Sequence, residues 1–478
     1  MSPAHSRATV EVTPGGAVRG RVRPPGSKSL TNRALICAAF ARGRSELRGA
    51  LDSEDTRVMI AALREVGFDI KTSGSHRHLK VGGAMGRHAP AGEQALFIAN
   101  SGTSVRFLAA ALAAFGGRYR LHGVERMHAR PIADLVDAIA PHLQGTIRAL
   151  SPHGCPPVEI DSRGYREPGA SMAIELSVAG NVSSQYLSGL MMSGPIQATQ
   201  ANESAPRSLR VAVDGDLVSL PYVEMTAAVM RDFGVSVSID ATQPSGHLVS
   251  ICGAYRGCQY AIEPDASAAS YFWAAAAITG GQVTVAGLNR RSLQGDVRFV
   301  DVLEKMGCKV EWSDEGITVS GRAERGIDVD MNSISDTVQT LSVVALFASQ
   351  PTRVRGVAHN RFKETDRIGD LARELRRLGA TVDEHEDGLT IHPLPEARLD
   401  SEREPTKIQT YHDHRMAMSL ALAGLRMRGV LITDPSCTGK TYPNYWYDLE
   451  TLIGRSHHWS SSEDRQNFVG AASAGGTS

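Results

Sequence analysis

At 478 residues, with Lys plus Arg and Asp plus Glu equal at 51 each, the chain has no net charge to direct it toward nucleic acid or a membrane surface. Hydrophobic residues make up 42% and charged residues 21%, and no apolar run is long enough to span a bilayer. The segment Met1 to Val12 lacks the basic stretch and apolar core of a signal peptide, so a cytoplasmic protein of two or three domains is expected.

The first chemical segment is Pro25-Gly26-Ser27-Lys28-Ser29, which opens the Ala-rich stretch NRALICAAFARG. It imitates a nucleotide-binding P-loop but has Ser between Gly and Lys. From Asp55 to Ile70 a second pattern follows: helix-periodic text, a short gap, Gly67, and an alternating strand. The two patterns then alternate down the chain. Asn100-Ser101-Gly102-Thr103 opens SVRFLAAALAAFGG, Arg130-Pro131 opens a looser segment through Gly145, and Ser183-Ser184-Gln185 opens YLSGLMMSG. Tyr222 begins YVEMTAAVMRDFGVSVSI over Gly234, Asp265-Ala266-Ser267 opens another Ala-rich stretch, and Asp296 begins DVRFVDVLEKMGCKVEW over Gly307. Asp336-Thr337 heads VQTLSVVALFAS, KETDR follows at Lys363 to Arg367, and Asp370 begins DLARELRRLGATV over Gly379. Asp413-His414-Arg415 opens the last Ala-rich stretch, Cys437 to Thr441 follows the strand text VLIT, and YWYDLETLIG ends at Gly454.

The glycines of the second pattern recur about every 75 residues, with one longer spacing. Ala-rich stretches that are apolar around nearly their whole circumference predict helices buried inside a domain. Six copies of one α+β module in two groups of three follow. After about Arg455 the text loses periodicity and turns Ser-, Gly- and Ala-rich, which predicts a disordered tail over 456–478.

The starts of the Ala-rich helices carry hydroxyl, amide and carboxylate residues that serve as N-caps, but several also carry Lys or Arg, which capping does not require. Lys28, Arg33, Arg106, Arg130, Arg367, Arg415 and Lys440 all lie in small, Gly-rich or apolar text rather than in polar surface text. Seven such cations suit more than one anionic ligand, because a phosphate monoester carries about −1.5 to −2 charge at neutral pH. Asp336 and Glu364 are a capping residue and a surface ion-pair partner, or else a base and an acid tuned by burial and cations; the sequence leaves both open. His412-Asp413-His414 reads as a turn into a helix, since no third metal ligand has recognisable spacing. Cys437 to Thr441 lacks the first glycine of a P-loop, and neither a Gly-x-Ser-x-Gly elbow nor a G-x-G-x-x-G fingerprint occurs. The six cysteines form no C-x-x-C pair.

In order from about residue 24 to 446, the segments PGSKSLTNRAL, NSGTSVRFLAA, RPIADLVDA, SSQYLSGLMM, DASAASYF, DVRFVDVLEKMG, KETDRI, HDHRMAMSLAL and CTGKTYPNY resemble the EPSP synthase family of enolpyruvyl transferases. The resemblance implies an α+β fold, a two-domain inside-out α/β barrel of six βαβαββ repeats. Its domains would be 23–257, the shikimate 3-phosphate-binding half, and 1–22 plus 258–455. It also implies transfer of the enolpyruvyl group of phosphoenolpyruvate to the 5-hydroxyl of shikimate 3-phosphate by a monomer that uses no metal and no cofactor. Lys28, Gly102, Arg130, Gln185, Arg367, Arg415 and Lys440 would surround phosphoenolpyruvate. Lys28, Ser29, Arg33, Ser183, Ser184, Gln185, Ser219, Asp336 and Lys363 would bind shikimate 3-phosphate. Asp336 would accept the hydroxyl proton and Glu364 would protonate the methylene carbon, with Lys28 assisting. Because these cations come from both halves of the chain, closure of the domains on the ligands is expected.

Two positions depart from the family pattern. His359 stands where the family commonly has a ligand-binding Asn, with Asn360 one place later, and Phe107 stands where Pro is frequent. Retention of Gly102 implies competition by glyphosate with phosphoenolpyruvate. The sister family acting on UDP-N-acetylglucosamine has a reactive Cys five residues before its Arg-Pro, where this chain has Glu125. A non-catalytic scaffold of the same fold is the remaining alternative.

Overall fold

The structure is a computed structural model that describes residues 8–73, 77–84, 88–167, 173–180, 183–200, 208–215, 217–243, 246–399, 404–466 and 469. It divides into two compact units, Gly26–Glu263 and a second made of the residues up to Pro25 with those from Pro264 onward. The chain therefore leaves the second unit and returns to it a few residues later on each side than the sequence suggests, at Pro25/Gly26 and Glu263/Pro264.

Among the described residues, each unit has three four-stranded sheets. One copy shows the plan. Glu93–Phe97 runs parallel to Gly117–His122, which pairs antiparallel with Val158–Tyr165, which pairs antiparallel with Leu143–Ala149. Strand text here alternates between buried and exposed residues, as in Val158–Tyr165, so each sheet turns one face inward. The parallel connection is made by a helix, which gives the order βαβαββ.

Six connecting helices carry the Ala-rich text: α1 (Lys28–Ala39), α2 (Gly102–Phe115), α3 (Ser184–Gln200), α4 (Ala266–Thr279), α5 (Val338–Ala345) and α6 (His414–Ala421). Every residue of α2, α4, α5 and α6 is buried, so in each unit the helices lie inside and the strands outside. Small side chains let these helices approach, and their buried hydroxyls bond one another. Ser270 of α4 meets Thr340 of α5 at 3.0 Å, and Thr340 meets Ser419 of α6 at 3.2 Å. Side chains cap five of the six starts: Ser27, Ser101, Ser183, Asp265 and Asp413 accept from backbone N–H groups two or three residues on.

The amphipathic helices of the second pattern end at glycine. All six of these glycines, at 67, 145, 234, 307, 379 and 454, have positive φ; five of them turn a helix into its strand, whereas Gly145 lies inside the strand Leu143–Ala149, at a shift in its register. In three copies an arginine fixes this turn. Arg64, Arg231 and Arg376 donate to the carbonyls of Ile70, Val237 and Val382, each six residues on, with shortest distances of 2.7, 2.8 and 2.7 Å.

The sixth sheet is built from distant chain segments, in the order Thr406–Ile408, Val430–Thr433, Thr9–Glu11, His458–Trp459. This corrects the expectation of disorder from 456 onward, because Val10 pairs with Trp459 and Glu11 with His458. Trp459 packs edge-on against Trp446 with ring centres 5.8 Å apart, His457 is buried, and Ser462–Arg465 is helical. The rest of that expected tail, 467–468 and 470–478, lies outside the described residues. No helix among the described residues is long and apolar enough to cross a membrane.

Candidate active site

In the Gly26–Glu263 unit, Ser27 caps α1 and Lys28 is its first residue, with Nζ 3.4 Å from the buried Asp55 carboxylate. Further along α1, Arg33 is 2% exposed and uses four of its five N–H groups on neutral acceptors. It donates to Thr226 Oγ1 (2.7 Å), the Ser29 carbonyl (3.0 Å), Ser188 Oγ (3.2 Å) and the Tyr222 carbonyl (3.3 Å). Burial without a counter-charge lowers its pKa to about 10. Phe107, within α2, lies under this guanidinium with 5.1 Å to the ring centre, and the helix runs through it without a break.

Gly102 is the first residue of α2, and Arg130 crosses it closely: a Cβ on Gly102 would lie 2.3 Å from Arg130 Nη2. Arg130 donates to the Asn100 carbonyl at 3.0 Å. Pro131 does not begin a helix, since the next one is Ala133–Ile139; its carbonyl instead accepts from Arg106 at 2.9 Å and Tyr186 at 2.7 Å. Arg106 also donates to Gln185 Oε1 at 2.8 Å, so it orients this amide in the first turn of α3. Ser183 accepts from the Gln185 N–H at 3.3 Å, and Ser184 is buried beside it. Ser219 is buried in the left-handed conformation (φ 56°) before the helix Leu220–Asp232, a backbone geometry uncommon outside glycine. Counting Lys28, Arg33, Arg106 and Arg130 against Asp55, this group carries excess positive charge.

The second unit holds a balanced cluster. Asp336 does not cap α5; it lies in a 3-10 turn, Asn332–Thr337, and its carboxylate accepts from Arg415 (2.7 Å) and Arg367 (3.3 Å). Nor is Glu364 a surface residue: it is 8% exposed and accepts from Arg367 (2.8 Å) and Lys440 (3.1 Å). Arg367 is 2% exposed and also donates to both oxygens of Asp413, at 2.7 and 3.3 Å. Burial works against its charge, but Asp413 and Glu364 outweigh that and raise its pKa. Asp413 caps α6 through the Arg415 N–H at 2.8 Å. One guanidinium thus joins three carboxylates. Lys440 ends a 3-10 turn, Pro435–Lys440, rather than opening an α-helix.

The two residues at the family's Asn position separate clearly. Asn360 is fully buried and turned inward, donating to the Ser335 carbonyl at 3.0 Å, which braces the Asp336 turn. His359 faces Lys363, Asp336 and Arg367, and burial, reinforced by Lys363, lowers its pKa to about 3, so the ring is neutral.

Three acids escaped the sequence reading as site residues. Asp55 and Asp413 look like helix-start residues, and their long-range cation partners are invisible to local pattern. Asp296, 4% exposed, heads an apolar run and bonds the Ser267 hydroxyl in the first turn of α4. Burial, then repulsion from Asp336, raises its pKa to about 7.

Helices inside, sheets outside and these buried groups of Lys and Arg, one in excess over acids and one balanced by them, define an enzyme built to handle small anions. A family model described as EPSP synthase (3-phosphoshikimate 1-carboxyvinyltransferase) matches residues 12–449. The 3-phosphoshikimate 1-carboxyvinyltransferase of Thiobacillus denitrificans (strain ATCC 25259 / T1) is 44% identical over 432 residues, 89% of this chain and 95% of that protein. Its counterpart in Shewanella sp. (strain W3-18-1) is 40% identical over 437 residues, 91% of this chain and 97% of that one. The solved EPSP synthase of Acinetobacter baumannii shares the fold with a TM-score of 0.73 at 25% identity, covering 95% of this chain and 100% of that chain. The chain belongs to the EPSP synthase family.

Proposed function

We infer that the chain transfers the enolpyruvyl group of phosphoenolpyruvate to the 5-hydroxyl of shikimate 3-phosphate, giving 5-enolpyruvylshikimate 3-phosphate and phosphate. It does so in the cytoplasm, as a step toward the aromatic amino acids. The observation that carries this is the sharing of the Arg367 guanidinium by Asp336 and Glu364. Addition to an enol phosphate needs a base at the attacking hydroxyl and an acid at the methylene carbon, and elimination reverses both proton movements. Two carboxylates fixed on one cation supply that pair.

In this reading Asp336 takes the hydroxyl proton and Glu364 delivers a proton to the methylene, forming a tetrahedral phosphate ketal. Phosphate then leaves with the proton that Asp336 held, as Glu364 takes a proton back from the new methyl group. Lys28, Gly102, Arg130, Gln185, Arg367, Arg415 and Lys440 hold phosphoenolpyruvate, and the cations among them stabilise the charge on the departing phosphate. Ser29, Arg33, Ser183, Ser184, Ser219, Asp336 and Lys363 hold shikimate 3-phosphate, with Lys28 and Gln185 reaching both substrates. Arg33 supports this part, because a buried cation without a carboxylate partner suits a phosphate.

The test is phosphate release with phosphoenolpyruvate plus either shikimate 3-phosphate or UDP-N-acetylglucosamine. Release with the first pair alone is expected. Release with the second alone would move the chain to the sister reaction, and silence with both would leave a non-catalytic scaffold.

A further inference from the structure

The loop that delivers Asp413 to the cluster contains two consecutive non-glycine residues in the left-handed conformation, Tyr411 (φ 53°) and His412 (φ 55°). A third, Asp434 (φ 47°), stands at the start of the turn that ends at Lys440. Such residues are a small minority of non-glycine positions, and they persist where surrounding contacts over-determine them. Those contacts are present here on both sides. Tyr411 donates its hydroxyl to Glu374 at 2.7 Å, and the same fully buried carboxylate accepts the Gln409 N–H at 3.0 Å, which ties the loop to the helix Gly369–Arg377. His412 Nδ1 donates to Asp434 Oδ2 at 2.6 Å, which ties the loop to the Lys440 turn. Asp413 directly follows these two ties, and its carboxylate accepts from Arg367 and from the Arg415 N–H.

We propose that His412 and Asp434 form a clasp whose task is to hold Arg367, Arg415 and Lys440 in register, making both of them positioning residues for the anion these cations bind. The side chains of the pair do not belong to the cluster itself; they join the two loops that feed it. The proposal rests on the reading of those three cations as phosphoenolpyruvate ligands, because only then does their register matter to one substrate more than the other.

Initial rates of the full-length enzyme over a grid of both substrates test this. His412→Ala is expected to raise KM for phosphoenolpyruvate roughly fivefold or more while KM for shikimate 3-phosphate stays within about twofold. His412→Asn should restore the parent value, since its side-chain nitrogen branches from Cγ as Nδ1 does and Asn tolerates the left-handed backbone. The double variant His412→Ala/Asp434→Ala should be no worse than either single one, as expected for partners in one contact. Equal loss toward both substrates, no rescue by Asn, or additive losses in the double variant would overturn the clasp. Arg415→Ala is the control. If it raises KM for phosphoenolpyruvate and His412→Ala does not, the clasp is wrong; if neither does, the ligand reading beneath it falls first and takes the clasp with it.

Discussion

Arg33 stacks on Phe107 in the interior of its unit, satisfied by four oxygen acceptors but in no ion pair among the described residues. Lysine would keep the charge and lose the fork, so several of those acceptors would be left without a donor. Arg33→Lys is expected to weaken shikimate 3-phosphate by about tenfold or more, the size of one or two charge-assisted hydrogen bonds. It should also shrink the rise in melting temperature that this ligand gives. Thermal unfolding with and without shikimate 3-phosphate measures both effects, and an undiminished rise would remove Arg33 from the ligand.

The two carboxylates on Arg367 should have separable roles. Asp336→Asn and Glu364→Gln are each expected to lower kcat by about 10²–10⁴-fold. With shikimate 3-phosphate bound, Glu364→Gln should suppress deuterium incorporation into the methylene of phosphoenolpyruvate in heavy water at least as strongly as Asp336→Asn does, because reversible protonation there exchanges its hydrogens. Exchange at the parent rate in that variant would mean another group is the acid.

Gly102→Ala tests the close approach of Arg130. The added methyl would lie 2.3 Å from Nη2, so the buried guanidinium has to move. KM for phosphoenolpyruvate should rise about tenfold with kcat less affected, since loss of a well-placed charge contact costs about 1.5–3 kcal/mol. Glyphosate, which should compete with phosphoenolpyruvate in the parent enzyme, should weaken at least as much. Inhibition kinetics on both proteins decide it; an unchanged KM would show that Arg130 serves the fold rather than the ligand.

Asp296 gives stability an unusual pH dependence. Its folded-state pKa is raised to about 7 from an ordinary 3.8, by burial and by Asp336. The folded state therefore binds the extra proton between these values, so the associated stability is full below about pH 4 and is lost as pH rises through 7. Asp296→Asn lacks this term. Relative to the parent, the variant should gain stability between pH 5 and pH 8 in urea titrations, and parallel curves would show that Asp296 is ionised throughout.

Much of this architecture was legible because it is local. Five of the six glycines mark turns that need positive φ and the sixth, Gly145, marks a shift within a strand, and the Ala-rich text gives buried helices whether or not their neighbours are known. What stayed hidden depends on partners far away in sequence. Asp413 reads as a cap because its side chain does cap α6, yet the same carboxylate also holds Arg367, 46 residues earlier. The strand His458–Trp459 has two residues, too few for any period, and its partners are Val10 and Glu11. Deleting the chain from Ser456 onward should accordingly lower the melting temperature, with a loss of about 1.5–3 kcal/mol for the Trp459 contact alone. An unaltered melting curve would return that segment to the status of a tail.

The sixth sheet also sets the order in which the molecule can be completed on the ribosome. The Gly26–Glu263 unit is one continuous stretch and can close as soon as it has been made. Thr9–Glu11 is synthesised first, yet it waits for Val430–Thr433 and then for His458–Trp459, an interval on the order of half a minute or more at ordinary translation rates. Throughout that time an unpaired strand precedes a finished unit. A strand made before the Gly26–Glu263 unit is thus folded after it, and a nascent chain stalled before residue 430 would carry one native unit and an exposed strand suited to chaperone capture.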